Sequence, residues 1–156
     1  MIIETTEWLP GEASKLPRSP GAYLLLVELT EPLTLRVGRL GEFTLAPGRF
    51  AYAGSACGPG GLAARVNRHL NPARRAHWHV DALTRLAVVT RVYAVESVEP
   101  LECAWVRWLL SRPGSSIPIA GFGSTDCRSG CPAHLIRLPS GLDPGGWGLA
   151  AQELSG

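Results

Sequence analysis

A glycine-rich corner, FAYAGSACGPGGLAARVNRHL at residues 50–70, combines a tyrosine, an arginine and a histidine. Tyr52 ends a predicted strand, and Arg65 and His69 follow four residues apart on a predicted helix, so they share one face. Hydrolysis of a phosphodiester requires charge neutralisation on the phosphate and a group that activates the nucleophile. The guanidinium of Arg65 matches phosphate geometry, and histidine titrates near neutral pH. The corner is therefore a candidate site for phosphate chemistry.

Basic residues concentrate in the same region although the whole chain carries a net charge of only +2. No acidic residue interrupts this cluster before Asp81, which favours a phosphate-rich partner. The glycines of the corner allow a close approach of backbone to phosphate, and the helix start at 61–62 would offer free N–H groups to an anion. The cluster consists of Arg65, Arg68, His69, Arg74, Arg75 and His77.

Apolar patterning predicts strands at 21–29, 33–38, 87–96 and 134–139, and two short strands around a turn at 46–48. The strand at 33–38 is expected to form a hairpin with the strand at 21–29. Helices are predicted at 61–70 and 76–86, and a third, capped by Ser97 with Pro100 in its first turn, ends near Ser111. The predicted fold is α+β, a small, mainly antiparallel β-sheet flanked by short helices. We divide the chain into a lead-in (1–20), one domain (21–139) and a flexible glycine-rich tail (140–156).

The order of these motifs resembles the GIY-YIG nuclease superfamily. The resemblance is carried by GAY at 21–23, YAG at 52–54, Leu62-x-x-Arg65-x-x-x-His69 and Glu102 at a helix start. The stretches HWHVDAL (77–83), ECA (102–104), GFGSTDC (121–127) and HL (134–135) are similar to a small subfamily of unknown function. That subfamily occurs alone or fused to an endonuclease III-type DNA glycosylase.

The resemblance implies cleavage of DNA with a single divalent cation, Mg²⁺ or Mn²⁺. It assigns Tyr52 as general base, Tyr23 as a residue lining the site, Arg65 as a phosphate contact and Glu102 as the metal ligand. His69 takes the place where the family has tyrosine or histidine. The expected partners are DNA and a DNA-repair glycosylase. The candidate substrate-binding residues are Gly54, Ser55, Arg68, His77 and His79.

Two departures from the family pattern keep a second interpretation open. Ser55-Ala56-Cys57 stands where the family often has a basic residue, and no asparagine follows Glu102 in the zone of Pro113 and Gly114. The alternative function is a catalytically inactive nucleic-acid-binding module with the same fold.

The four cysteines and the absence of an apolar run long enough to span a membrane bear on the compartment. We find no signal peptide and no apolar run of the roughly 18–20 residues that a membrane span requires, so we expect a cytoplasmic protein without membrane contact and with reduced thiols. Cys127-x3-Cys131-x2-His134 has zinc-like spacing, but neither Cys57 nor Cys103 completes it by spacing. We therefore expect a thiol cluster without structural zinc. A third hypothesis makes this Cys/His loop the core of an interaction domain.

Overall fold

A five-stranded antiparallel sheet lies at the centre of the computed structural model, which describes residues 4–71, 78–125 and 127–147. Its order is β1 (Thr6–Trp8), β6 (Val89–Glu96), β2 (Gly21–Leu29), β5 (Gly48–Ala56) and β7 (Leu135–Leu138). A separate hairpin joins β3 (Leu33–Val37) to β4 (Gly41–Leu45). The predicted α+β class with a mainly antiparallel sheet is confirmed.

Strand β2 is the middle strand because its apolar run can be buried on both faces. It pairs with β5 on one edge and with β6 on the other. In the β2–β5 register, Tyr23 lies opposite Gly54 and Leu25 lies opposite Tyr52. Since side chains alternate along a strand, Tyr23 and Tyr52 project from the same face of the sheet.

Helices cover both faces of the sheet. The helices α1 (Gly61–Leu70) and α2 (His79–Thr84) pack with Tyr23 and Tyr52 in one core cluster, to which a 3-10 helix at Pro10–Lys15 also contributes. Helix α3 (Glu102–Ser111) packs on the opposite face through residues including Trp105 and Leu109. The two faces therefore have separate cores.

Three local predictions are wrong. The strand β3 pairs with β4 and not with β2, because β5 and β6 already occupy both edges of β2. Helix α2 is shorter than predicted, at His79–Thr84, while residues 76 and 77 lie outside the described part of the chain. Ser97 does not cap α3: its hydroxyl accepts a hydrogen bond from the Glu99 amide, and α3 begins after Leu101.

The segments on either side of the predicted domain contain ordered structure. Strand β1 adds to the edge of the sheet beside β6. At the other end, the Trp147 ring stacks on Trp105 with centroids 5.0 Å apart, while residues 148–156 lie outside the described chain. No helix among the described residues has the length and apolar character needed to cross a bilayer.

Candidate functional site

The side chain of Tyr23 lies across the backbone of β5 at Gly54. A Cβ atom at position 54 would lie 2.9 Å from Tyr23 Cε2 and closer still to its Cζ and hydroxyl. Only glycine leaves room for the phenol ring in this position. The Tyr-x-Gly pattern at residues 52–54 thus has a packing reason: the glycine accommodates the tyrosine of the neighbouring strand.

A chain of hydrogen bonds connects Tyr23 to α1 and α2. The Tyr23 hydroxyl is 2.7 Å from His69 Nε2, and His69 Nδ1 is 3.0 Å from an oxygen of Asp81. The other Asp81 oxygen accepts the backbone N–H of Trp78 at 2.8 Å. Because a carboxylate only accepts, His69 Nδ1 carries the proton and Nε2 accepts from Tyr23. This network fixes both the orientation and the tautomer of His69.

Burial favours the uncharged forms of both the tyrosine and the histidine of this network. Tyr23 is 1% exposed and His69 is 2% exposed. Burial, and secondarily Tyr52, raise the pKa of Tyr23 well above its usual range, although Arg65 opposes the change. Burial lowers the pKa of His69 and outweighs the opposing effect of Asp81. The neutral forms are those that the hydrogen-bond pattern requires.

Tyr52 completes a group of three aromatic rings. Its centroid lies 6.5 Å from that of Tyr23 and 6.4 Å from that of His69. Phe122 packs edge-on against Tyr52 at 6.1 Å, and a Cβ at position 123 would lie 2.8 Å from the Tyr52 ring. Gly123 is therefore required beside Tyr52, both for this approach and for its φ of 73°. The structure brings the rings of Tyr23, Tyr52 and His69 together.

Two arginines of α1 flank Trp78 next to this group. The Arg65 Cζ lies 4.4 Å and the Arg68 Cζ 5.0 Å from the centroid of the Trp78 ring, within cation–π range. Arg65 Nη1 also donates to the Ser55 carbonyl at 3.2 Å. A pocket of about 180 Å³ adjoins both arginines and the loop at Gly58. Arg65, Arg68 and Trp78, here called the arginine–tryptophan face, place positive charge beside an open pocket.

The start of α1 is not available to an anion, so that prediction is wrong. The Leu62 N–H donates to the Ser19 carbonyl at 3.0 Å, and the Ala63 N–H donates to the Pro17 carbonyl at 2.9 Å. The Gly61 N–H donates to Gly58. The lead-in segment supplies the carbonyl groups that occupy the Leu62 and Ala63 donors.

The remaining predicted residues lie in different surroundings. His79 Nδ1 accepts the Gly123 N–H at 2.8 Å, so this histidine holds the loop beside Tyr52. His77 lies outside the described residues. Glu102 begins α3, the helix that packs on the opposite face, and its Oε2 is buried without a hydrogen-bond partner among the described residues. Substrate contact by Gly54, Ser55, Arg68 and His79, and metal binding by Glu102, stay predictions.

Sequence reasoning missed the immediate surroundings of His69 and Tyr52. In the sequence Asp81 is only the acidic residue that ends the basic cluster, whereas in the structure its carboxylate holds His69. The sequence did contain a local indication of this position for Asp81, because a carboxylate three residues after the N-cap residue Trp78 can accept a hydrogen bond from the N-cap backbone at the start of a helix. No local signal indicated that Trp78 would lie under both arginines or that Phe122 would pack on Tyr52.

A cysteine–histidine cluster, formed by Cys103, Cys127, Cys131 and His134, lies with the core on the α3 face. The four ligand atoms lie within 4.8 Å of one another. The expectation of a single Mg²⁺ or Mn²⁺ and no structural zinc is therefore corrected, since three sulfurs and an imidazole suit zinc rather than hard cations. Cys103 is the fourth ligand that the spacing of Cys127, Cys131 and His134 did not reveal. The packing of α3 brings it beside these residues, which are more than twenty positions away in the sequence.

Comparison with known proteins identifies one family. Residues 22–144 match the Domain of unknown function DUF123, over a range that includes both tyrosines, α1 and the cysteine–histidine cluster. No match reaches significance among curated proteins or solved structures. The match covers most of the sequence, and the chain belongs to the family of the domain of unknown function DUF123.

Proposed function

We propose that this chain is a DNA endonuclease that hydrolyses phosphodiester bonds at the corner formed by Tyr23, Tyr52, Arg65 and His69. The observation that carries the proposal is the convergence of Tyr23, Tyr52 and His69, whose ring centroids are 5.6–6.5 Å apart. The ordered motifs also resemble the GIY-YIG nuclease superfamily, in which these residue types line the active site. A DNA-repair role with a glycosylase partner, in the cytoplasm, is part of the same proposal.

In this proposal the residues of the corner have distinct tasks. Arg65 neutralises an oxygen of the phosphate, since its guanidinium borders the pocket beside α1. Tyr52, at 6% exposure the most open of the three rings, contacts the attacking water. In this step its hydroxyl oxygen takes a proton from the water and releases its own proton to solvent as the water oxygen bonds to phosphorus, while the departing sugar oxygen takes a proton from solvent. The network from Tyr23 through His69 to Asp81 holds the corner in place.

A cleavage assay tests this proposal. Branched, damaged and single-stranded DNA are incubated with the purified protein, with divalent cations added or withheld. Tyr52→Phe is expected to reduce cleavage by about 100-fold or more, the usual loss of a general base. Tyr93→Phe is the matched control, because Tyr93 has the same 6% exposure but lies in the other core. Absence of cleavage, or equal cleavage by Tyr52→Phe, would refute the proposal.

A second candidate, a nucleic-acid-binding module without catalysis, is favoured by one specific observation. Tyr23 and His69 are closed off from solvent, and Arg65 already contacts the Ser55 carbonyl and Trp78. Fluorescence anisotropy with labelled DNA at several salt concentrations separates the two functions. Binding with a steep salt dependence but no cleavage supports the module, and absence of binding contradicts both.

The arginine–tryptophan face provides the variants for this binding experiment. Arg65→Ala and Arg68→Ala are each expected to weaken binding and to reduce the slope of log K against log salt by about 1. Arg112→Ala is the matched control, because Arg112 also lies over a tryptophan, Trp108, but at the C-terminal end of α3. Equal slopes for Arg65→Ala and Arg112→Ala would exclude the face as a phosphate contact.

A further inference from the structure

We propose that the cysteine–histidine cluster binds one zinc ion, and that this ion fastens the segment 121–134 beside Tyr52. The sulfurs of Cys103 and Cys127 are 3.5 Å apart, and Cys103 Sγ is 3.9 Å from His134 Nε2. Tetrahedral zinc with Zn–S bonds of about 2.3 Å places its ligand atoms about 3.8 Å apart. The cluster thus has the dimensions of a zinc site before any ion is added.

The ligand set determines the kind of metal and the kind of site. Ligand atoms within 4.8 Å of one another enclose a single ion and leave no room for a multinuclear cluster. Thiolate and imidazole ligands select zinc over magnesium, calcium or manganese. Four protein ligands fill a tetrahedral coordination sphere, so no position remains for a substrate or a water. The site is therefore structural and separate from the proposed cleavage corner.

The ligands come from three segments that the ion would join. Cys103 belongs to the first turn of α3, Cys127 and Cys131 belong to the loop before β7, and His134 immediately precedes β7. Cys103, Cys131 and His134 are buried, whereas Cys57 is exposed in the loop before α1. The described residues of this loop contain little regular structure, so a metal crosslink substitutes for the hydrogen bonds of a helix or sheet.

The same loop contacts the opposite face of the sheet at Tyr52. The His134 N–H donates to the Phe122 carbonyl at 2.8 Å, and the His134 carbonyl accepts the Ala53 N–H at 3.0 Å. Phe122 packs on Tyr52, and the Gly123 N–H donates to His79. His134 is therefore both a zinc ligand and the residue that links the loop to Tyr52-Ala53-Gly54. Zinc binding holds Phe122 and Gly123 in position against Tyr52.

Elemental analysis tests the metal site directly. The full chain, expressed in zinc-containing medium, is expected to carry about one zinc per chain, and Cys131→Ser to carry less than a fifth of that amount. Cys57→Ser, the matched control, keeps the wild-type amount. Replacement of zinc by Co²⁺ is expected to give the visible d–d bands of a tetrahedral site and thiolate charge-transfer absorption. A wild-type zinc content below about 0.2 per chain, stoichiometric iron, or a disulfide between Cys103 and Cys127 would overturn the proposal.

Hydrogen exchange tests the positioning role and does not depend on cleavage activity. Treatment of the wild-type chain with a chelator is expected to speed exchange at least tenfold in peptides covering 121–134, while peptides covering 89–96 change less than twofold. Cys131→His, which retains a zinc-binding side chain, is expected to restore protection where Cys131→Ser does not. Unchanged exchange at 121–134 after complete zinc removal would overturn the positioning role. That result would not bear on the proposed endonuclease function, which the cleavage assay tests separately.

Discussion

The close contact between Gly54 and Tyr23 makes Gly54→Ala a sharp test of the candidate site. The new methyl group would lie 2.9 Å from Tyr23 Cε2 and closer to its Cζ and hydroxyl. Tyr23 is fully buried between α1 and the sheet, so its ring cannot swing into solvent. The ring must shift, and its hydrogen bond to His69 Nε2 must lengthen or break.

The expected cost has three parts. Overpacking of a filled core costs about 1–3 kcal/mol. Leaving His69 Nε2 buried without its donor costs about 1–3 kcal/mol more. Alanine also restricts the unfolded chain more than glycine does, and this effect stabilises the variant by about 0.4–1 kcal/mol, because the φ of Gly54 is accessible to alanine. We expect a net destabilisation of about 3 kcal/mol.

Urea denaturation followed by tryptophan fluorescence measures this change. Gly58→Ala is the matched control, because a Cβ at Gly58 meets no atom within 4 Å, and it is expected to change the free energy of unfolding by less than about 0.5 kcal/mol. In a Tyr23→Leu background, which lacks the phenol atoms facing Gly54, Gly54→Ala is expected to cost less than about 1 kcal/mol. If Gly54→Ala matches Gly58→Ala, or costs the same in both backgrounds, the explanation of the Tyr-x-Gly pattern is refuted.

Three further predictions concern the buried network and the C-terminal segment. Tyr23→Phe is expected to destabilise the fold by about 1–3 kcal/mol in urea denaturation because His69 Nε2 loses its donor; a change no larger than that of Tyr93→Phe would contradict this. The free energy of unfolding is expected to fall as pH decreases below about 6.5, because the pKa of His69 is lowered in the folded state and the unfolded chain takes up the proton first. His69→Gln should flatten this pH dependence, and equal slopes for the wild type and His69→Gln would exclude a buried neutral His69. Trp147→Ala is expected to cost about 3–5 kcal/mol, measured by thermal unfolding, because its ring is buried against Trp105; an unchanged midpoint would show that this stacking is dispensable.

Local patterning in the sequence predicted much of the secondary structure and part of the site. The helix at 61–70 forms over the predicted residues, because Leu62 and Val66 repeat at helical spacing between a glycine-rich start and the end at Leu70. The same spacing placed Arg65 and His69 on one side of that helix. The strand at 21–29 was readable from its apolar run, but the run carried no information about which strands would lie beside it.

The sequence by itself determined the α+β class, the bounds of α1 and the residue types gathered at the glycine-rich corner. Tertiary structure decided that β5 and β6 flank β2, that Asp81 orients His69, and that Cys103 completes a metal-ligand set with Cys127, Cys131 and His134. The physical reason is the range of the interactions. Periodicity and turn chemistry act within a few residues, whereas these contacts join residues twelve or more positions apart and form only when α1, α2 and α3 pack on the two faces of the sheet.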